Sequence, residues 1–160
     1  MKIEKMVDMV AASIGAIVLI SVISGAQAQT CDLSANDISF GSLSQNEISG
    51  DVVSTLTNNG DLAITSISVN GTDWDANSGF LVSQTHFSLL SGQPYGTMTS
   101  LSTQPQGLSL TGFLEQLANL PVYFKLQVPS HQAAGDYHQT ITFTFDCAEI
   151  TTTTTTTTGD

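Results

Sequence analysis

The chain has 160 residues, with three Lys or Arg against 14 Asp or Glu and a formal net charge of −11. Its length allows one modest domain core. An acidic balance of this size excludes nucleic acid and anionic membrane surfaces as partners, since like charges repel and no basic patch exists to offset them.

The chain opens on Lys2 and Lys5, followed by an uncharged apolar run from Met9 to about Gly25 and then Ala26-Gln27-Ala28. Charge, apolar run and a small-x-small site in that order are the pattern of a secretory signal peptide helix. Residues 1–28 are expected to be cleaved, leaving a mature chain from Gln29. An uncleaved anchor is the rival reading, because the run approaches spanning length and Glu4 and Asp8 dilute the positive flank. Residues 29–150 then form the domain. Residues 151–160, beginning with the threonines Thr151 to Thr158, carry no apolar group to bury and are expected to be a solvated, disordered tail, open to O-linked sugars or, with less to recommend it, to strand donation.

Within the domain, Asp37 to Gly41 reads as a first strand with Ile38 and Phe40 on one face, and Asp51 to Asn58 as a second with Val52 and Leu56 inward. A third runs between Asn59-Gly60 and Asn70-Gly71, both read as hairpin turns because Asn-Gly readily supplies positive φ. Leu62 and Ile64 share one parity and Ile67 and Val69 the other, so a bulge or a change of sheet is expected near Ser66. Trp74 follows as a core plug, Asp73 to Ser78 as a turn, and Phe80 to Leu90 as one or two short strands. Ser91 to Gln106 has no period and reads as an exposed loop or edge hairpin. Leu108 and Leu110 suggest a short strand, Gly112 to Asn119 a helical turn or two, and Pro121 its end. Val122 to Val128 and Ile141 to Cys147 alternate apolar and polar residues, the mark of strands with one face to water. The expected core comprises Phe40, Leu56, Ile64, Trp74, Phe124, Leu126, Tyr137, Ile141, Phe143 and Phe145. The expected fold is all-β, an antiparallel two-sheet sandwich of about seven to nine strands.

Cys31 and Cys147 lie at the two ends of the domain, and an exported chain with an even count pairs its cysteines. That bridge would staple the first strand to the last.

Ile38 to Leu43 (ISFGSL), Thr55 to Trp74 (TLTNNGDLAITSISVNGTDW) and Leu126 to Cys147 (LQVPSHQAAGDYHQTITFTFDC) together resemble the immunoglobulin-like sandwich modules of secreted and cell-surface prokaryotic proteins. The acidic, lysine-poor, threonine-tailed composition is similar to that of archaeal exported proteins. The resemblance covers most of the mature chain outside Phe80 to Asn119. It rests on turn and core positions, so it implies a fold and a surface setting and carries no catalytic residues.

Asp73, Asp75 and Asn77 alternate as the first ligands of a calcium loop do, but Ser78 replaces the glycine and Gln84 the bidentate glutamate of that loop. An Asx-rich turn is the competing reading. His86, His131, His138, Met98 and Cys147 lack the close Cys-His-Met spacing of a blue-copper loop. No serine sits in a G-x-S-x-G elbow. Asn70-Gly71-Thr72 is a glycosylation sequon, with a plain Asn-Gly turn as the alternative. The sequence therefore leads to an extracellular or cell-surface protein that is not an enzyme and needs no cofactor. It would serve as a structural or interaction module or filament subunit, whose partners are other surface proteins or further copies of itself. A soluble carbohydrate- or calcium-binding module is the alternative.

Overall fold

The computed structural model describes residues 29–74 and 79–148. Residues 1–28, expected to be a signal peptide, the threonine run 151–158, Asp75 and Asn77 lie outside the described residues. Two antiparallel sheets face each other as a β-sandwich with no α-helix among the described residues. One sheet has five strands in the order β1 (Leu33–Ala35), β2 (Val52–Asn58), β7 (Asn119–Leu126), β4 (Thr85–Ser88) and β5 (Thr99–Ser100). The other has three, β6 (Gln106–Gly107), β3 (Ile64–Gly71) and β8 (Ile141–Cys147).

Alternation sets the two inner faces. Leu56 from β2, Val122 and Phe124 from β7 and Phe87 from β4 meet Ile64, Ile67 and Val69 from β3, and all are buried. Each such side chain contributes about 1.5–3 kcal/mol relative to leaving it in water. The parity change in β3 is a register irregularity between Ile64 and Ser66, which puts Ile64, Ile67 and Val69 on the same inner face. Ile141, Phe143 and Phe145 of β8 point inward but remain half-buried, because among the described residues β8 is an edge strand.

Several local expectations are corrected. Asn70-Gly71 is not a turn: both residues lie inside β3, paired with Thr142 and Ile141 of β8. Neither Gly60 nor Gly71 has a positive φ. Gly71 is needed for a different reason, since a Cβ there would sit 2.6 Å from Leu101 Cδ2 and 3.1 Å from Val82 Cγ2. Asn59-Gly60 does not join a hairpin either; it lies on the connection that carries the chain from β2 in one sheet to β3 in the other. A Cβ on Gly60 would meet the Thr30 carbonyl oxygen at 2.4 Å, so the glycine makes room for the N-terminal crossing segment.

The first strand is Leu33–Ala35 rather than 37–41; Ile38 and Phe40 still pack on the core, from an irregular segment that turns at Gly41 with φ 68°. Residues 112–119 form no helix. Leu114 instead exchanges two backbone hydrogen bonds with Ile64, each 2.9 Å, and Leu117 takes a left-handed φ of 59°. Pro121 does not end an element but lies within β7, opposite Thr55 of β2. Pairing with β4 begins only at Tyr123, so on that side the proline adjoins no ladder.

Candidate functional site

Two features stand apart from the closed core: a groove at one side of the sandwich and the strand edge beside it. The groove lies between residues 35–45, which run on from β1, and residues 132–143, which lead into β8, and it encloses about 1210 Å³. Its floor is a run of aromatic rings. Trp74 stacks on Phe80 at 5.2 Å between centroids, Phe40 tilts against Trp74 at 5.8 Å, and Tyr137 tilts against Phe80 at 5.5 Å. Leu126 completes this second cluster. The chain segments supplying these rings are distant in sequence, and only the sandwich brings them together.

Polar groups around the floor are tied into the scaffold. The Trp74 indole N–H donates to Thr85 Oγ1 at 3.1 Å, the Thr85 hydroxyl donates to Gln139 Oε1 at 2.9 Å, and Gln139 Nε2 donates to the Thr72 carbonyl at 2.8 Å. This chain links β4 of the larger sheet to the segments that follow β3 and precede β8. Tyr137 donates its hydroxyl to the Ala133 carbonyl at 2.6 Å, and Gln45 Nε2 donates to the Gln132 carbonyl at 2.6 Å across the groove mouth.

The sequence-derived candidates are distributed as follows. Cys31 and Cys147 are bonded, with Cα atoms 6.0 Å apart, and join the segment ahead of β1 to the end of β8. Asp73 uses Oδ1 to accept the Val82 backbone N–H at 2.7 Å, and the Trp74 N–H reaches the Phe80 carbonyl at 2.9 Å, so both tie the segment after β3 to the segment ahead of β4. Asp75 and Asn77 are outside the described residues. Asn70 is on the outer face of β3, half-buried within the ladder. Among the described residues no three of His, Cys, Asp and Glu gather where they could hold a metal ion. His86 stacks on Tyr95 at 3.9 Å, and its Nδ1 lies 2.9 Å from the Tyr95 carbonyl. Burial raises the Tyr95 phenol above its ordinary value.

The edge of β8 is the feature that sequence reading missed. The carbonyls of Thr140, Thr144 and Asp146 and the N–H of Ala148 all bond toward β3 and its flanks. Backbone direction alternates along a strand, so the N–H and C=O groups of Ile141, Phe143, Phe145 and Cys147 point the other way, to the outside. Among the described residues no strand pairs with them. A weak signal was available in the sequence, because Ile141 to Cys147 contains no Lys, Pro or Gly to blunt an edge. Strand order, which the sequence does not display, was needed to see that this strand is at an edge.

No known family model matches the chain, and no curated protein matches it at a significant level. Among the described residues no helix is long and apolar enough to cross a membrane.

Proposed function

We propose that this chain is an exported β-sandwich of the cell surface or extracellular space that acts by contact, as a structural or interaction module and a candidate filament subunit, without catalysis. The observation that carries the reading is the Cys31–Cys147 bond, which closes 116 residues of chain between the two sheets. Such bonds persist in oxidising compartments. The apolar stretch ahead of Gln29, with its Ala-x-Ala site, supports the same route.

Kinship with immunoglobulin-like modules is supported by strand order. β1-β2-β7-β4 opposite β3-β8 follows the A-B-E-D opposite C-F arrangement of the constant-type domain, and the Tyr137 hydroxyl on the Ala133 carbonyl is similar to a tyrosine corner. Two departures limit the likeness. β6 pairs with β3 although it follows β4 in sequence, and the disulfide joins the terminal strands rather than central ones. Among the described residues the place beside β8, where a last strand would lie in that order, holds no strand.

The alternative of a soluble carbohydrate-binding module is favoured by the aromatic floor of the groove, since sugars bind over rings. Against it, Trp74 and Phe80 already stack on each other. Expression with the native leader, followed by cell fractionation and intact mass, tests the main reading. A product beginning at Gln29, outside the cytosol and without free thiols, is expected. A cytosolic product with two free thiols overturns it. An oligosaccharide that shifts Trp74 fluorescence saturably would move the carbohydrate module ahead.

A further inference from the structure

We infer that the edge of β8, open among the described residues, pairs with the β8 edge of a second copy, antiparallel and centred on Thr144, so that the two three-stranded sheets become one continuous sheet. The other sheet edges are blunted by length: β1 has three residues, and β5 and β6 have two each. β8 has seven. Long edges are ordinarily protected by Lys, Pro or a bulge, and this strand has none of them, its register irregularity lying on β3 at Ile64.

The strand is complementary to itself. With Thr144 on the two-fold axis, Phe143 faces Phe145 of the second copy, and Ile141 faces Cys147 of the second copy. These are the residues whose N–H and C=O point outward, so the register satisfies every one of them. It also sets half-buried rings side by side on the inner face, as cross-strand aromatic pairs prefer. The strand's single charge, Asp146, faces Thr142 of the second copy and not its own twin, which matters in a chain of net charge −11. The threonine run 151–158 would offer only threonines to Phe143 and Phe145, whereas β8 offers rings. The biological sense of this pairing rests on the interaction-module reading above.

The test uses the full exported chain with the Cys31–Cys147 bond intact. In the register centred on Thr144, the two copies of that residue form a non-hydrogen-bonded pair with Cα atoms about 4.5 Å apart, within disulfide reach. Thr144→Cys should therefore oxidise to a covalent dimer. Thr142→Cys should not, because in this register its twin is about 13 Å away, four residues along the strand. Light scattering across a dilution series should show a dimer, and Thr144→Glu should raise its dissociation constant about tenfold, since it sets two carboxylates face to face beside Asp146 of each copy. The melting temperature of the Thr144→Glu monomer should remain within a few degrees of the parent, since residue 144 is exposed.

A parent that stays monomeric to about millimolar concentration overturns the inference, with dissociation arithmetic placing such contacts above about −4 kcal/mol. Equal cross-linking at Thr142→Cys, or open-ended polymers in place of a dimer, overturns it as well. A monomer found at the cell surface removes the pairing and leaves the interaction-module reading standing. A reduced, cytosolic chain removes that reading whatever β8 does.

Discussion

Asn58 shows how one buried polar side chain fixes a crossing between sheets. It is fully buried, yet its Nδ2 donates to the Leu62 and Leu114 carbonyls at 2.8 and 2.9 Å, and its Oδ1 accepts the Gly60 N–H at 3.0 Å. Asn58→Ala removes three hydrogen bonds at once from a site closed to water, although the Leu114 carbonyl keeps the Ile64 N–H and the Gly60 N–H keeps the Asp32 carbonyl. A loss of about 3 kcal/mol or more is expected in urea unfolding, against under about 1 kcal/mol for the exposed neighbour in Asn59→Ala. Gly71 illustrates a steric constraint instead. Leu101, against which a new Cβ would press, is itself buried, so Gly71→Ala should destabilise by about 1–3 kcal/mol through overpacking, with no change in any turn. A thermal-melt comparison with Gly96→Ala, where a Cβ meets nothing within 4 Å, checks that the effect belongs to the contact.

At the scale of elements, Asp51 ties together the start of β2, the loop at Gly92 and the end of β7. Its Oδ2 accepts the Gly92 N–H at 2.6 Å, and its Oδ1 lies 3.2 Å from Lys125 Nζ, which also donates to the Gln93 carbonyl at 2.7 Å. The Gly92 hydrogen bond holds the Asp51 carboxyl below its ordinary pKa against the opposing effect of burial, and Lys125 acts in the same direction as Gly92. The folded-state value is thus lower than the unfolded one. The resulting stability is present above the unfolded carboxyl pKa of about 3.9 and is lost as pH falls through the folded value. Asp51→Asn should therefore melt lower than the parent at neutral pH, and the gap should narrow below about pH 4 in a pH series of thermal melts. The effect will be modest, as the pair is partly solvated.

Across the whole molecule the Cys31–Cys147 bond is the principal constraint, spanning a separation of 116 residues. In the chain-entropy view a loop of this length contributes up to about 5 kcal/mol by restricting the unfolded chain. Reduction, or the paired change of Cys31→Ser with Cys147→Ser, should lower the melting temperature by about 10 °C or more. The same bond fixes the end of β8 against the segment ahead of β1, while the groove next to its start remains open. Calcium provides a whole-molecule check on the Asp73 turn. With Asp73 Oδ1 already bonded to Val82, millimolar calcium should shift neither Trp74 emission nor the melting temperature; a saturable shift lost in Asp75→Ala would assign the turn to metal.

Period-2 alternation in Val122 to Leu126 and Ile141 to Cys147 was legible in the sequence because one face of each strand meets the core and the other meets water, a constraint every residue must satisfy locally. The change of parity near Ser66 and the pairing of the only two cysteines were legible for similar reasons. Asn59-Gly60 and Asn70-Gly71 misled, since glycine serves close approach as well as positive φ, and the approaching Thr30 and Leu101 are 30 residues away in sequence. Leu114 and Leu117 carried a helical spacing that Ile64 overrode by taking the Leu114 backbone into a bridge. The aromatic groove and the edge of β8, unpaired among the described residues, belong wholly to tertiary structure. Both depend on which strands become neighbours, and that is decided by how two apolar faces close on one another, a long-range choice that no short window of residues encodes.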